Sequence, residues 1–115
     1  MKVEVKICGL DREETVDAAV EAGAAMTGFV FYAPSPRNLT SLEASILTAR
    51  IPEGVKRVGL FVNPTNEQLC KVLDQNTLDL IQLHGEETAE RVYKIKNLTG
   101  LPAMKVLKIS AIQHI

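Results

Sequence analysis

Five absences narrow the reading of this 115-residue chain before any motif is considered. There is no excess of one charge: 13 basic residues against 14 acidic ones leave a net charge of -1. Nucleic-acid binding favours a basic face, so no nucleic-acid partner is expected. There is no apolar run near the ~18 residues that cross a bilayer, so no membrane span is expected. Met1-Lys2-Val3-Glu4 lacks the apolar core of a signal peptide. Two cysteines, Cys8 and Cys70, make no disulfide framework, and a reduced, cytoplasmic chain is expected. Nor do Cys8, Cys70 and His84 supply a ligand pair at metal-binding spacing, so no metal or cofactor is expected. What remains is ordinary for a globular protein, 46% apolar and 23% charged, with room for one domain.

The first stretch, Val3 to Leu10, reads as a short strand that ends in a loop. Val3, Val5 and Ile7 alternate with Glu4, Lys6 and Cys8, and period-two alternation puts the two sets on opposite faces. Parallel-sheet strands are usually apolar on both faces. Here one face carries a carboxylate, an ammonium and a thiol, with the thiol at the C-terminal end, where α/β folds keep their chemistry. Gly9 then permits a tight turn or a close approach to the backbone.

Helix and strand signals alternate from there. Asp11 with Glu14 resembles a capping box, Val16, Ala19 and Val20 follow at helical spacing, and Gly23 is the expected terminator. Thr27–Tyr32 is the second strand, followed by a loop fixed by Pro34 and Pro36. Thr40 and Glu43 cap a helix with Ala44, Leu47 and Ile51 on its apolar face, stopped at Pro52-Glu53-Gly54. Val58–Val62 is strand three, broken at Asn63-Pro64, and Thr65 with Gln68 caps a helix carrying Leu69, Val72 and Leu73. Leu78–Leu83 is strand four, ending at His84-Gly85. A polar-faced helix with Val92 and Ile95 then runs to about Leu98, and Met104–Ile109 is strand five. Strands that alternate with helices imply βαβ units, a parallel sheet and right-handed crossovers. Ser110 and Gln113 announce one more helix just before Ile115. A helix that short has no stability of its own. The end is read either as frayed or as the front part of a longer protein.

Four strand ends carry distinctive words: Lys6-Ile7-Cys8-Gly9-Leu10; Gly28-Phe29-Val30-Phe31 with Ser35-Pro36-Arg37; Val58-Gly59-Leu60-Phe61-Val62-Asn63; and Gln82-Leu83-His84-Gly85-Glu86. Together, in register over essentially the whole chain, they resemble the phosphoribosylanthranilate isomerase family of tryptophan biosynthesis. The resemblance implies a TIM (βα)8 barrel, of which residues 1–115 are one partial domain, the first half through strand five. It implies an Amadori rearrangement of N-(5-phosphoribosyl)anthranilate, a small phosphoribosyl substrate. The family's general base falls on Cys8, and the arginine that meets the anthranilate end falls on Arg37. The family's general acid and phosphate-gripping loops correspond to nothing in this chain, so the chain alone is expected to be inactive.

Each residue has a plainer reading beside that one. Cys8 alone reads as a small buried hydrophobe; its polar face and its motif favour the base. A catalytic thiol acts as thiolate, which a nearby cation assists. Lys6 shares the face, although it can equally pair with Glu4. Arg37 reads as a solvated loop residue or, after its Pro-Ser-Pro turn, as a fixed guanidinium suited to a carboxylate. His84 alone reads as a satisfied strand-end histidine; with Gln82 it shares a face at a strand end, and both are expected at the substrate site. Cys70 reads as structural, and Asp11 as a cap rather than an acid. Two other functions compete: a non-catalytic half-barrel that self-associates or binds a sugar phosphate, and a different phosphosugar isomerase barrel. Cys8 and the Ser35-Pro36-Arg37 loop fit an anthranilate substrate better than the latter. A protein of only these 115 residues is expected to be a homo-oligomer, because both sheet edges and inward residues such as Val30, Leu80 and Leu107 would otherwise meet water.

Overall fold

Residues 5–106 are described by a computed structural model. Leu107 and the Ser110–Gln113 signal lie outside the described residues, as do Val3 and Glu4. The elements are β1 (Lys6–Ile7), α1 (Glu13–Glu21), β2 (Met26–Phe31), α2 (Ser41–Thr48), β3 (Lys56–Phe61), α3 (Asn66–Gln75), β4 (Leu80–Leu83), α4 (Ala89–Thr99) and β5 (Ala103–Lys105). The five strands are all parallel and lie in chain order, β1-β2-β3-β4-β5. The α/β class and the strand-helix alternation are as the sequence implies.

The register separates two sheet faces. Ile7 pairs with Thr27, Phe31 with Phe61, and Phe61 with Leu83. These positions, with Phe29 and Ile81, point at the helices. There they join Val16 and Ala19 of α1, Ala44 and Leu47 of α2, Leu69 and Val72 of α3, and Ile95 of α4 in one core. The Phe31 and Phe61 rings stack at 5.2 Å with planes 18° apart. Burying each such side chain contributes about 1.5–3 kcal/mol. The other phase, Val30 to Leu60 to Gln82 to Met104, forms the inner face.

Most helix ends follow the sequence signals. The Thr40 hydroxyl accepts the Glu43 N–H at 3.1 Å, and Glu43 Oε1 accepts the Thr40 N–H at 2.9 Å, a complete capping box. Gly23 takes φ 86° after α1 and Gly100 φ 70° after α4, the left-handed turn that only glycine makes without strain. The start of α1 differs. Asp11 is not its cap: it lies 3.8 Å from the Arg12 guanidinium, one residue too early. Arg12 is the N-cap, and the Thr15 hydroxyl accepts its N–H at 3.3 Å and donates to its carbonyl at 2.8 Å. Gln68 does not reach back to Thr65; its amide donates to the Phe31 carbonyl at 3.1 Å, tying α3 to the end of β2.

Strand five was expected from Met104 and begins at Ala103. Beyond Lys105, Val106 still donates to the Leu83 carbonyl at 2.8 Å. Val30 meets less water than expected. It is only 8% exposed, because it stands in mid-sheet with Leu60 beside it on the next strand. Leu80 is partly buried, and Met104 on β5 is 42% exposed.

Candidate functional site

Cys8 leaves β1 at its C-terminal end, exposed and unpaired with any other cysteine. The next strand makes room for it. A Cβ on Gly28 would stand 2.9 Å from the Cys8 sulfur and 3.1 Å from its Cα, so a side chain there would displace the thiol. The Leu10 N–H donates to the Gly28 carbonyl at 3.1 Å and holds the outgoing chain against β2.

Arg37 reaches the same place from the next loop. A turn closes with Ser35 N–H on the Tyr32 carbonyl at 2.9 Å and Asn38 N–H on the Ser35 carbonyl at 3.1 Å. The Ser35 hydroxyl accepts the Arg37 N–H at 3.1 Å. The Arg37 side chain then crosses Gly9, where a Cβ would lie 2.5 Å from Arg37 Cδ. Gly9 also takes φ 75°, so both space and backbone call for glycine. Among the described residues the guanidinium has no acidic partner, which leaves its fork of donors available.

His84 follows β4, its N–H on the Phe61 carbonyl at 2.9 Å. Its Nε2 lies 2.8 Å from Gln82 Nε2. With the amide nitrogen donating, the imidazole is neutral with its proton on Nδ1, and buried Gln82 Oε1 has no protein partner. With the amide turned over, Oε1 accepts from Nε2–H and the amide nitrogen is the one left over. Either way an inner-face residue only 7% exposed carries an unsatisfied polar atom. Burial lowers the His84 pKa from its ordinary 6.5; the Lys6 ammonium and more weakly Lys105 push the same way against Glu87. The imidazole is therefore neutral at pH 7.

Cys8, Arg37 and His84 line one cavity of about 390 Å³ with Val30, Tyr32, Leu60 and Val62. Gln82 sits one layer deeper, against His84. A larger cleft of about 530 Å³ shares Cys8 and Arg37 but is floored by Thr15, Ala18 and Ala19 of α1, at the β1 edge of the sheet. The smaller cavity is the better candidate, because the C-terminal ends of consecutive strands converge on it. Cys70, expected to be structural, is exposed on α3 and belongs to neither core nor cavity. Among the described residues no cluster of His, Cys, Asp and Glu could hold a metal ion, and no helix is long and apolar enough to cross a membrane.

A second polar cluster, beside His84 but outside the cavity lining, is not among the residues the sequence points to. Glu87 takes the Lys105 ammonium on one oxygen, at 2.8 Å, and the Asn63 N–H on the other, at 2.7 Å. A signal did exist: Lys105 falls on the helix-facing phase of β5, where a charge needs a partner.

The family model for N-(5'phosphoribosyl)anthranilate (PRA) isomerase matches residues 5–113. The chain belongs to the phosphoribosylanthranilate isomerase family. The N-(5'-phosphoribosyl)anthranilate isomerase of Paramagnetospirillum magneticum is 52% identical over 110 residues, 96% of this chain and 51% of that protein. The chain spans about half the length of the curated relatives it matches. Among solved structures, a phosphoribosyl anthranilate isomerase in complex with reduced 1-(o-carboxyphenylamino)-1-deoxyribulose 5-phosphate superposes with a TM-score of 0.85 and 35% identity, covering 98% of this chain and 59% of that one. A monomeric form of the dimeric phosphoribosylanthranilate isomerase of Thermotoga maritima superposes at 0.81 and 38% identity, covering 90% of this chain and 52% of that one. The five parallel strands and their helices are thus an α/β half-barrel resembling those enzymes.

Proposed function

We propose that this chain supplies the β1–β5 part of an enzyme that isomerises N-(5-phosphoribosyl)anthranilate to 1-(2-carboxyphenylamino)-1-deoxyribulose 5-phosphate in tryptophan biosynthesis. The observation that carries the proposal is the meeting of Cys8, Arg37 and His84 in one cavity at the strand ends of a family member. In this reading an acid from the other half protonates the ribose ring oxygen. The C1–O bond breaks, and the nitrogen lone pair forms the C1=N bond. Cys8 as thiolate takes the proton from C2, the electron pair moves into C1=C2, and the nitrogen becomes neutral. The enol proton is then lost, C2 becomes a carbonyl, and C1 gains a proton. Arg37 pairs with the anthranilate carboxylate. Neutral His84 and Gln82 face the sugar, where the unsatisfied amide atom gains a partner from a hydroxyl. A cytoplasmic setting goes with this reading.

Alone, the chain lacks the acid and the phosphate grip and is inactive. By itself it self-associates: among the described residues β1 pairs only with β2 and β5 only with β4, and Met104 is exposed beside the latter edge. The test joins this chain to the remaining half of the Paramagnetospirillum magneticum relative and assays isomerisation, with the 115-residue chain assayed and sedimented beside it. Turnover by the joined protein only, and a sedimenting oligomer for the chain alone, are the expected results. An active 115-residue monomer would overturn the reading.

A further inference from the structure

Three strand ends close on one buried carboxylate. Glu87 lies between the end of β4 and Thr88, the N-cap of α4, and its side chain is 0% exposed against 23% for Lys105. Its Oε2 accepts the N–H groups of Asn63 at 2.7 Å and Gly85 at 3.2 Å, and its Oε1 takes the Lys105 ammonium at 2.8 Å. Lys105 also donates to the Gly85 carbonyl. Asn63, at φ 44°, completes the knot: its Oδ1 accepts the Glu86 N–H at 2.9 Å. Its side chain lies where a Cβ on Gly85 would be 2.6 Å away.

Stability is a weak reason for such a pair. Taking a carboxylate and an ammonium out of water cancels much of their attraction, and apolar residues of like volume often serve a fold as well. What the charge adds is direction, because charge-assisted bonds to backbone N–H groups hold each donor in one place. The residue they enclose is His84. Its own N–H is held by the Phe61 carbonyl, and the N–H and carbonyl of the next residue, Gly85, are held by Glu87 and Lys105. The backbone is therefore pinned on both sides of the His84 Cα, the ring's only covalent anchor.

We propose that Glu87, clamped by Lys105, is a positioning residue that fixes the His84 ring at the cavity mouth by binding the backbone after β3 and after β4 to β5. The catalytic use of this clamp rests on the isomerase reading; the clamp does not. Lys6 of β1, Lys105 of β5 and Glu87 act electrostatically on the ring, and Cys8 and Arg37 line the cavity it faces.

The experiment compares the 115-residue chain with its E87Q and K105M variants, by amide hydrogen exchange and by proton NMR titration of the His84 ring. E87Q should speed exchange at Asn63 and Gly85 by at least about tenfold, the worth of a charged hydrogen bond, and leave core amides such as Phe61 unchanged. It should also move the His84 titration to lower pH, while K105M moves it to higher pH. Shifts of opposite sign show only that both charges act on the ring; the exchange at Asn63 and Gly85 is what separates a held backbone from a pair that merely stabilises the fold. Unchanged or uniformly faster exchange in E87Q overturns the proposal. If E87Q does not fold, unchanged exchange at Asn63 and Gly85 in K105M, which loses the ammonium bound to Glu87 and to the Gly85 carbonyl, overturns it. In the joined isomerase, E87Q should lower kcat/KM. Normal kcat/KM together with altered exchange would reject only the catalytic use of the clamp.

Discussion

The helix-facing and inner faces of the sheet are made from the same strands, one residue out of phase, yet they are filled by opposite rules. Phe29, Phe61, Ile81 and Leu83 on the helix-facing side are each 0% exposed and sit in one continuous apolar core. On the inner side Cys8, Gln82 and His84 alternate with aliphatic residues, a glycine at position 28 leaves space for a thiol, and an amide atom goes unsatisfied. Close packing of apolar side chains, with the few polar groups such as Thr27 and Lys105 hydrogen-bonded, makes the first face stable. Unfilled space and unspent hydrogen-bonding capacity make the second receptive. Sequence period two separates most of the apolar core from the cavity-lining residues, with Lys105 the exception.

Substitutions that should damage one face and spare the other test that division. The largest effect is expected at Cys8. In the joined isomerase Cys8→Ser should lower kcat by about 10²–10⁴, the usual worth of a positioned base, with little change in KM or in urea midpoint. Near-normal turnover would remove Cys8 from the mechanism. Its counterpart is Phe61→Ala, which should destabilise the chain by about 3–5 kcal/mol in urea melts, because it opens a cavity against Phe31. A loss below about 1 kcal/mol would mean that the core can collapse around the gap. Arg37→Ala should chiefly raise KM, by about 1.5–3 kcal/mol for a charged hydrogen bond, and steady-state kinetics decides it. An unchanged KM returns Arg37 to the role of a solvated loop residue. Thr40→Ala, remote from the cavity, should cost about 1 kcal/mol of stability by removing one cap.

Acid should act through the mouth, in two steps of one sign. His84 has a folded pKa below its ordinary 6.5, so the unfolded chain binds the proton more readily, and stability falls as pH drops below that value. Burial alone would raise the Glu87 pKa, but Lys105 and the Asn63 and Gly85 N–H groups more than offset it. Its contribution is therefore present above the ordinary 4.5 and lost as pH falls through the folded value. Urea midpoints measured from pH 7 downward should show both steps, and Glu87→Gln should shrink the lower one to the part left by Asp17, whose carboxyl the Arg50 guanidinium also holds below its ordinary value.

The parts legible in sequence were those encoded locally. Thr40 and Glu43 announce their box, Gly23 its turn, and alternation in β1 separates Cys8 from Ile7. The cap of α1 is not legible, because Asp11 and Thr15 both offer oxygens near the helix start and only the path of the chain decides between them. Glu86 and Glu87 are indistinguishable on paper. One is exposed and the other buried because Lys105, eighteen positions on, comes to lie over the second. Val30 was expected to meet water, since its phase is legible but the shelter from a strand thirty positions away is not.

The strand order carries a consequence for synthesis. Every strand pairs with the next one along the chain, so no strand must wait for a distant segment before its hydrogen bonds can form. The order permits vectorial assembly: as the polypeptide leaves the ribosome, each βα unit would find its neighbour already emerged. The cavity matures last within this segment: Cys8 and Arg37 are exported early, and the clamp at the mouth closes only when Lys105 arrives.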